Sequence, residues 1–396
     1  MSGVRWGDKD RYLNSAIEHV VVIGRSVKEA ASWDSARLPQ AVGAVSPYRC
    51  FSLQTRNPGG NMRYIGIDLH KRDSQVAVLD EDGEVVREVR VENANLDSIA
   101  REYAGSKAAL EATGNYYTAY DTLDEHLDVV VADPQQTKAI GIAEVKNDRL
   151  DAKLLAQLRR ADMVAESYVP DDDTRRHRAL VRGRKKLVEK RTDFKNEVHA
   201  LLDRKGVDVE PDVFSKKGRE ILACEDLGLD RMTQTLLESY LSIIDEVTEQ
   251  IENVEQRIDE VATSLEETQL LMTIPGVSFY SSLMITAELG EVERFDGSKE
   301  AVSYAGLDPV VRESGDSRTE GGISKQGSRN LRWILVQCAN VAVHRCKDEY
   351  LGEFYGRLKR KKNHNVAIVA TARKMLVSIY HMLERKEVYS PPEGGS

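Results

Sequence analysis

In "VKNDRLDAKLLA" two acids, Asp148 and Asp151, stand three residues apart, and Leu150, Leu154, Leu155 and Leu158 recur beside them at helical spacing. Residues three apart share a helix face, so the carboxylates lie side by side and repel. Two more acids stand where an acid needs a reason. Asp68 closes the alternating run "RYIGIDLH", and Glu111 sits inside the apolar run "KAALEATG". A carboxylate among apolar neighbours is unfavourable without a partner. Brought together, four such groups would suit a hard divalent cation, Mg²⁺ or Mn²⁺. Two such ions about 3.5–4 Å apart clamp a scissile phosphate, stabilising its attacking and leaving oxygens. Taken singly, Asp148 is explained as a helix-end acid suited to the dipole and Asp68 as a strand end; Glu111 is the residue that discriminates.

The elements that would have to position these acids follow from the pattern. After "RYIGIDLH", the segment "DSQVAVLDEDGEVVREVRVEN" holds two alternating runs joined at Asp82-Gly83, a strong hairpin signal. Asn95 is placed to cap a short helix, "LDSIAREYA". Then come the strand "KAALEATG", the helix "YYTAYDTLDEHL", the buried strand "DVVVADP" and a helix over 148–160. The order β-β-β-α-β-α-β-α is the layout of a ribonuclease-H-like fold. In that layout the ends of the first and fourth strands and the helix after the fifth meet at one edge, so all four acids converge. "GIDLHKRDSQVAVLDEDG" also resembles the first phosphate hairpin of actin-like ATPases, but bulky Leu69, His70 and Lys71 replace the glycine-rich turn and no adenosine motif follows.

The rest of the chain reads as helix, so the class is α/β plus α. Residues 175–195 carry ten Lys/Arg against two acids. Arg175, Arg176, Arg178, Arg182, Arg184, Lys185 and Lys186 make this a candidate binder of nucleic-acid backbone, with Leu180, Leu187, Phe194 and Leu201 as an apolar seam. From Leu237 to Leu265 apolar residues alternate in steps of three and four, a heptad seam of coiled-coil type. The two helices could form an antiparallel hairpin or pair between subunits. In "IPGVSFYSSLMITAEL" Gly276 stands in a turn of helix-hairpin-helix kind, where backbone N–H groups could meet a phosphate; a plain helix cap reads equally well. A basic segment, "RLKRKKNHN", and an apolar helix close the chain.

Composition sets the limits. The net charge of −9 disfavours a polyanion partner only on average, since local patches decide. Cys50, Cys224, Cys338 and Cys346 show no metal or disulfide spacing, which points to a reducing cytoplasm. No apolar run reaches the ~18–20 residues that span a bilayer, so no membrane partner is expected. Residues 1–61 show no sustained period; Met62, just before the first strand, is the expected natural start. The expected domains are 62–170, 171–267 and 268–396.

"YIGIDLHK", "LEATGNYY", "VKNDRLDAKLLA", "IPGVSFYSSLMITAELGEVERF", "YAGLDPVVRESG" and "GGISKQGSRNLR" together resemble the IS110 family of insertion-sequence transposases, relatives of Piv-type DNA invertases. The resemblance runs from Met62 almost to the end. It implies a RuvC-like domain with a DEDD metal site at Asp68, Glu111, Asp148 and Asp151, a coiled coil, and a C-terminal transposase domain with a nucleophilic serine. It implies as partners donor and target DNA and a structured guide RNA from the element's ends; the heptad seam predicts further copies of the chain, as dimer or tetramer, since recombination needs several subunits on two DNAs. The serine falls at Ser314 in "RESGDSRTEGG", followed by Gly315. Arg312 and Arg318 flank it, Lys325 and Arg329 lie further on, and Ser317 and Ser324 are its rivals. Two other functions fit the residues less well: a junction resolvase using only metal and water, and a non-catalytic nucleic-acid-binding protein.

Overall fold

The computed structural model describes residues 62–112, 114, 116–133, 148–210, 212–224, 227–314 and 317–391, with side chains outside 148–150, 224 and 310–321. The 1–61 extension lies outside the described residues. The chain forms two compact units that meet in sequence at Val169 and Pro170.

The first unit is a sheet with helices on both faces. Its strands are β1 (Tyr64–Leu69), β2 (Asp73–Leu79), β3 (Val85–Glu92), β4 (Lys107–Glu111) and β5 (Asp128–Ala132). They lie in the order β3-β2-β1-β4-β5. The hairpin strands pair antiparallel, while β1–β4 and β4–β5 are parallel. Helices α1 (Leu96–Glu102), α2 (Tyr116–Asp124) and α3 (Asp148–Arg160) complete the unit, matching the element order expected from the pattern. Asn95 makes no side-chain cap bond; it ends a short 3₁₀ turn leading into α1.

Strand alternation sorts the two faces. Ile65, Ile67 and Leu110 pack with Leu96, Ile99 and Leu123 under α1 and α2. The alternate positions carry small residues: Gly66, Ala77 and Ala109 sit level with one another. Their size lets α3 lie directly on the sheet. A side chain at Gly66 would run into the backbone of Ala152 and Ala156, and Leu155 packs with Ala109 and Ala132.

Among the described residues the second unit is helical apart from one hairpin. Helix α4 (Asp172–Lys205) and helix α6 (Arg231–Ser264) run antiparallel, with Arg184 paired to Glu255 and Lys205 to Asp230. Short α5 (Lys216–Cys224) packs near their far end. Then follow α7 (Glu266–Met272), α8 (Phe279–Leu289), α9 (Ser298–Tyr304), strands β6 (Pro309–Ser314) and β7 (Ser317–Ile323), α10 (Arg329–His344), α11 (Glu349–Lys359) and α12 (His364–Arg385). The heptad seam is therefore covered by the chain's own α4. Leu237, Ile244, Ile251 and Ile258, seven apart, are buried, whereas Tyr240, Val247, Val254 and Val261 are half-buried.

Three expectations need correction. The apolar seam of α4 holds in its second half, where Leu201 is buried and Phe194 packs beside it, but is displaced by one residue in its first: Val181 and Val188 are buried, while Leu180 and Leu187 border an open apolar groove of about 450 Å³ with Val254. In that half both lines are apolar, and the direction from which α6 and α8 approach selects Val181 and Val188. The boundary at 267/268 does not separate compact units, because Val181, Ile258 and Ala262 share one core with Leu283 and Leu335. Finally, α12 is long and apolar enough by composition to cross a membrane. Its Ile368, Ala372, Leu376 and Ile379 are buried in that same core, which explains the apolarity without a bilayer.

Candidate functional site

Asp68 and Glu111 stand just past the last paired rung of two parallel neighbours. Ile67 is level with Leu110, so the next step along the ladder sets Asp68 beside Glu111, on strands about 4.8 Å apart. Both follow a small residue on the α3 side of the sheet, Gly66 and Ala109. Asp68 is buried and Glu111 half-buried.

Helix α3 runs against the parallel strands. Its C-terminal Arg159 pairs with Asp128 at the start of β5 at 2.8 Å, and Arg160 donates to the Glu81 carbonyl at the β2–β3 turn. Its N-terminus, with Asp148 first and half-buried Asp151 one turn on, therefore lies toward the strand ends that carry Asp68 and Glu111. The Asp148 side chain lies outside the described residues. Among the described residues, no three His, Cys, Asp or Glu side chains stand close enough to hold one ion. The donor chemistry is nonetheless that of a hard cation: oxygen ligands, one of them buried, with the α3 N-terminus nearby. His70 stands beside them, its Nε2 3.6 Å from Asp68 Oδ2. Its carbonyl accepts from Asn93, which fixes the loop after β1. The rings of Tyr116 and Tyr117, at the start of α2, lie 4.3 Å apart and tilted by 44°.

The segment "RESGDSRTEGG" is not a loop but a hairpin. Its register pairs Arg312 with Thr319, Glu313 with Arg318 and Ser314 with Ser317, so Ser314 ends β6 at the tip. Gly315, the side chains of Ser314, Ser317, Arg312 and Arg318 lie outside the described residues. The base of the hairpin is clamped by Ser324 N–H to Asp308, Lys325 N–H to Gly306 and Ser328 N–H to Tyr304. Lys325 is exposed with a left-handed backbone, and Arg329 is exposed at the start of α10. The cap of α10 is Ser328, not Ser324.

The basic stretch of α4 proves largely committed to the fold. Arg178 is buried and donates to the carbonyls of Ala287 and Glu288. Arg182 forms a two-pronged pair with the Glu288 carboxylate at 2.7 and 2.9 Å. Arg184 is buried against Glu255, with its guanidinium 4.4 Å above the Tyr280 ring. Lys185 reaches Asn330 and lies over Trp333. Arg175 donates to the Pro170 carbonyl, and Arg176 pairs with Asp172 and Asp173 in its own first turn. Arg178 and Arg184 are thus corrected from phosphate contacts to internal ones; Lys186 remains exposed. Gly276 is corrected likewise. It is buried with φ 91°, and a Cβ would stand 2.7 Å from the Ala342 nitrogen, so its bareness serves the packing of the turn on α10.

The residue that sequence reasoning missed is Glu288. Its carboxylate is 1% exposed and takes Arg182, the Ser328 hydroxyl at 2.8 Å and Asn330. Burial pushes its carboxyl up, but the Arg182 hydrogen bond and charge outweigh this and hold it below its ordinary value. It ties α4 to the start of α10, and so to the base of the hairpin. An acid inside the apolar run "LMITAELG" was the available signal, the same one that marks Glu111.

Residues 65–206 match a family model described as a DEDD transposase, and residues 268–356 match the transposase IS116/IS110/IS902 family. The transposase for insertion sequence element IS1111A of Coxiella burnetii is 29% identical, over 83% of this chain and 92% of its own length. That of IS1328 of Yersinia enterocolitica is 26% identical, over 80% and 95%. The pilin gene-inverting protein of Moraxella bovis is 25% identical, over 71% and 80%. An α/β unit with acids at one sheet edge, followed by a helical unit, is here the body of a DNA transposase, an enzyme of recombination. The chain belongs to the IS110/IS116/IS902 family of insertion-sequence transposases.

Proposed function

We propose that the chain cuts and exchanges DNA strands through a serine–DNA link, assisted by a divalent cation at a ribonuclease-H-like, RuvC-type sheet edge. The observation that supports the reading is the parallel β1–β4 ladder, which runs to Ile67 and Leu110, the residues just before Asp68 and Glu111, while the Arg159–Asp128 pair holds the other end of α3 at the start of β5. Asp68, Glu111, Asp148 and Asp151 would hold Mg²⁺ or Mn²⁺, which supplies charge neutralisation at the phosphate. Ser314 is the proposed nucleophile. Its Oγ forms a bond to phosphorus while the bond to one strand oxygen breaks; the hydroxyl proton passes to a base and the leaving oxygen takes one up. The phosphodiester energy is kept for rejoining, which hydrolysis would lose. Arg312, Arg318, Lys325 and Arg329 belong to or follow the same hairpin and are proposed to meet phosphates. A guide RNA from the element's ends is part of the proposal, with Lys186 and neighbouring exposed cations of α4 as its contacts. So is assembly of several copies, for which the open groove at Leu180 and Leu187 is suited.

The metal half is tested by Asp68→Asn and Glu111→Gln. Each is expected to lose Mg²⁺-dependent nicking and to weaken Mn²⁺ binding measured by electron paramagnetic resonance, while the unfolding midpoint stays within a few degrees. Normal Mn²⁺ binding by both variants contradicts the site. The RNA half is tested by sequencing the RNA that purifies with the chain: element-end sequence is expected, and none or random RNA contradicts it.

A further inference from the structure

A second concentration of positive charge lies outside both matched segments, in the turn between α11 and α12. From Arg357 to His364 the chain reads "RLKRKKNH", five cations with no acid. Arg357, Lys359, Arg360, Lys361 and Lys362 are all exposed. Among the described residues the side chains of Arg357, Arg360, Lys361 and Lys362 make no hydrogen bond or ion pair, and Lys359 lies 5.5 Å over the Tyr355 ring.

The turn is built firmly. Leu351 and Tyr355 of α11 are buried, and the Tyr355 hydroxyl meets His364 Nδ1 at 2.8 Å across it. Lys361 and Lys362 N–H groups both donate to the Leu358 carbonyl, and Asn363 caps α12 by accepting from Val366 N–H. Folding explains only part of this charge. Arg357 and Lys359 sit in the last turn of α11, where cations suit the helix dipole by about 0.3–1 kcal/mol. Lys361 and Lys362 stand beyond that end and just before α12, whose first turn has no acid. Positive charge beside a helix N-terminus is unfavourable, and neighbouring cations repel. A chain with a net charge of −9 that leaves five cations together without an anion has a polyanion to meet there.

The kind of polyanion follows from what surrounds the turn. Sequence-tolerant binding of single strands relies on exposed aromatic platforms. Here Tyr355 is buried, and Lys374 covers the Tyr350 and Phe354 rings at 4.4 and 4.7 Å. Cations without stacking surfaces contact backbone rather than bases. We propose that the turn 357–362 is a sequence-independent contact for the phosphate backbone of duplex DNA. The inference rests on the family's action on DNA, and on neither the acid site nor Ser314.

The test is equilibrium binding of the full chain to an arbitrary duplex of about 30 base pairs, with a chelator present so that no strand is cut, from about 50 to 200 mM salt. The variant is Arg360→Gln with Lys361→Gln and Lys362→Gln. The slope of log affinity against log salt is expected to become shallower by about 0.9 for each lost contact, up to about 2.7. Affinity near 0.1 M salt falls on the order of a hundredfold, with the thermal midpoint unchanged or raised. An unchanged slope in a folded variant overturns the proposal. So does unchanged DNA binding with a weakened hold on single-stranded RNA, which would make the turn an RNA surface. The Asp68→Asn protein separates this from the catalytic reading: it is expected to bind the duplex with the parent slope whether or not it cuts.

Discussion

Helix α4 and the turn 357–362 are the two most basic stretches of the chain, and they use their charge in opposite ways. In α4 the guanidinium groups of Arg178, Arg182 and Arg184 are taken up by backbone carbonyls, Glu288 and Glu255. In the turn, the cations are exposed and residues 357–364 include no acid; the nearest before them, Glu353, is itself exposed one helical turn from Arg357. Charge density along a sequence therefore does not measure charge available to a partner. What separates the two regions is whether an acceptor waits opposite, and buried Glu288 and half-buried Glu255 come from segments more than seventy residues away from their partners.

The contrast breaks most visibly at Glu288. Glu288→Ala leaves half-exposed Arg182, Ser328 and Asn330 without their common acceptor, and three donors losing a charged partner cost roughly 3 kcal/mol together. The urea midpoint is expected to fall accordingly with an unchanged m-value. Next in size are Arg178→Ala and Arg184→Gln, each expected to lower stability by about 2 kcal/mol, because buried acceptors lose charged donors. Neither should change the salt slope of DNA binding; a shallower slope with normal stability would return these two arginines to the nucleic-acid surface.

Acid provides a third test. The Glu288 carboxyl is held below its ordinary value of 4.5 despite burial. Its contribution is thus fully present above the unfolded value and lost as the pH falls through the lower folded value. Unfolding free energy is expected to drop below about pH 4.5, and Glu288→Gln should flatten that drop relative to the parent. The smallest effect belongs to Lys186→Gln, an exposed cation of α4. Stability should change by less than about 0.5 kcal/mol, while the salt slope for RNA becomes shallower by about 0.7–0.9.

Much of the first unit was legible because alternation and turn chemistry act locally. The Asp82-Gly83 hairpin, the apolar strands and the leucines of 148–160 each specify their own element, and the strand order follows from few connections. Glu111 stands out because an acid is out of place in "KAALEATG", and it proves half-buried at the end of β4. Glu288 carries the same mark in "LMITAELG", but its partner comes from α4, and no local rule connects Arg182 to it. The one-residue displacement of the α4 seam has the same origin. Leu180/Leu187 and Val181/Val188 are two apolar pairs of equal period, and only the approach of α6 and α8 decides that the second is covered in this half of α4. The pairing of Tyr355 with His364 was likewise invisible in a list of scattered histidines, since it depends on how α11 and α12 meet.

The central claim is that a serine, not water, takes the cut strand. The most direct measurement incubates the full chain, its co-purifying RNA and Mg²⁺ with suicide DNA, then maps the protein–DNA adduct by mass spectrometry. The account predicts an adduct on Ser314 that disappears in Ser314→Ala and in Asp68→Asn, while both variants still bind DNA. An adduct that survives Ser314→Ala, one that maps to Ser317, Ser324 or a tyrosine, or efficient cutting with no adduct at all would contradict it.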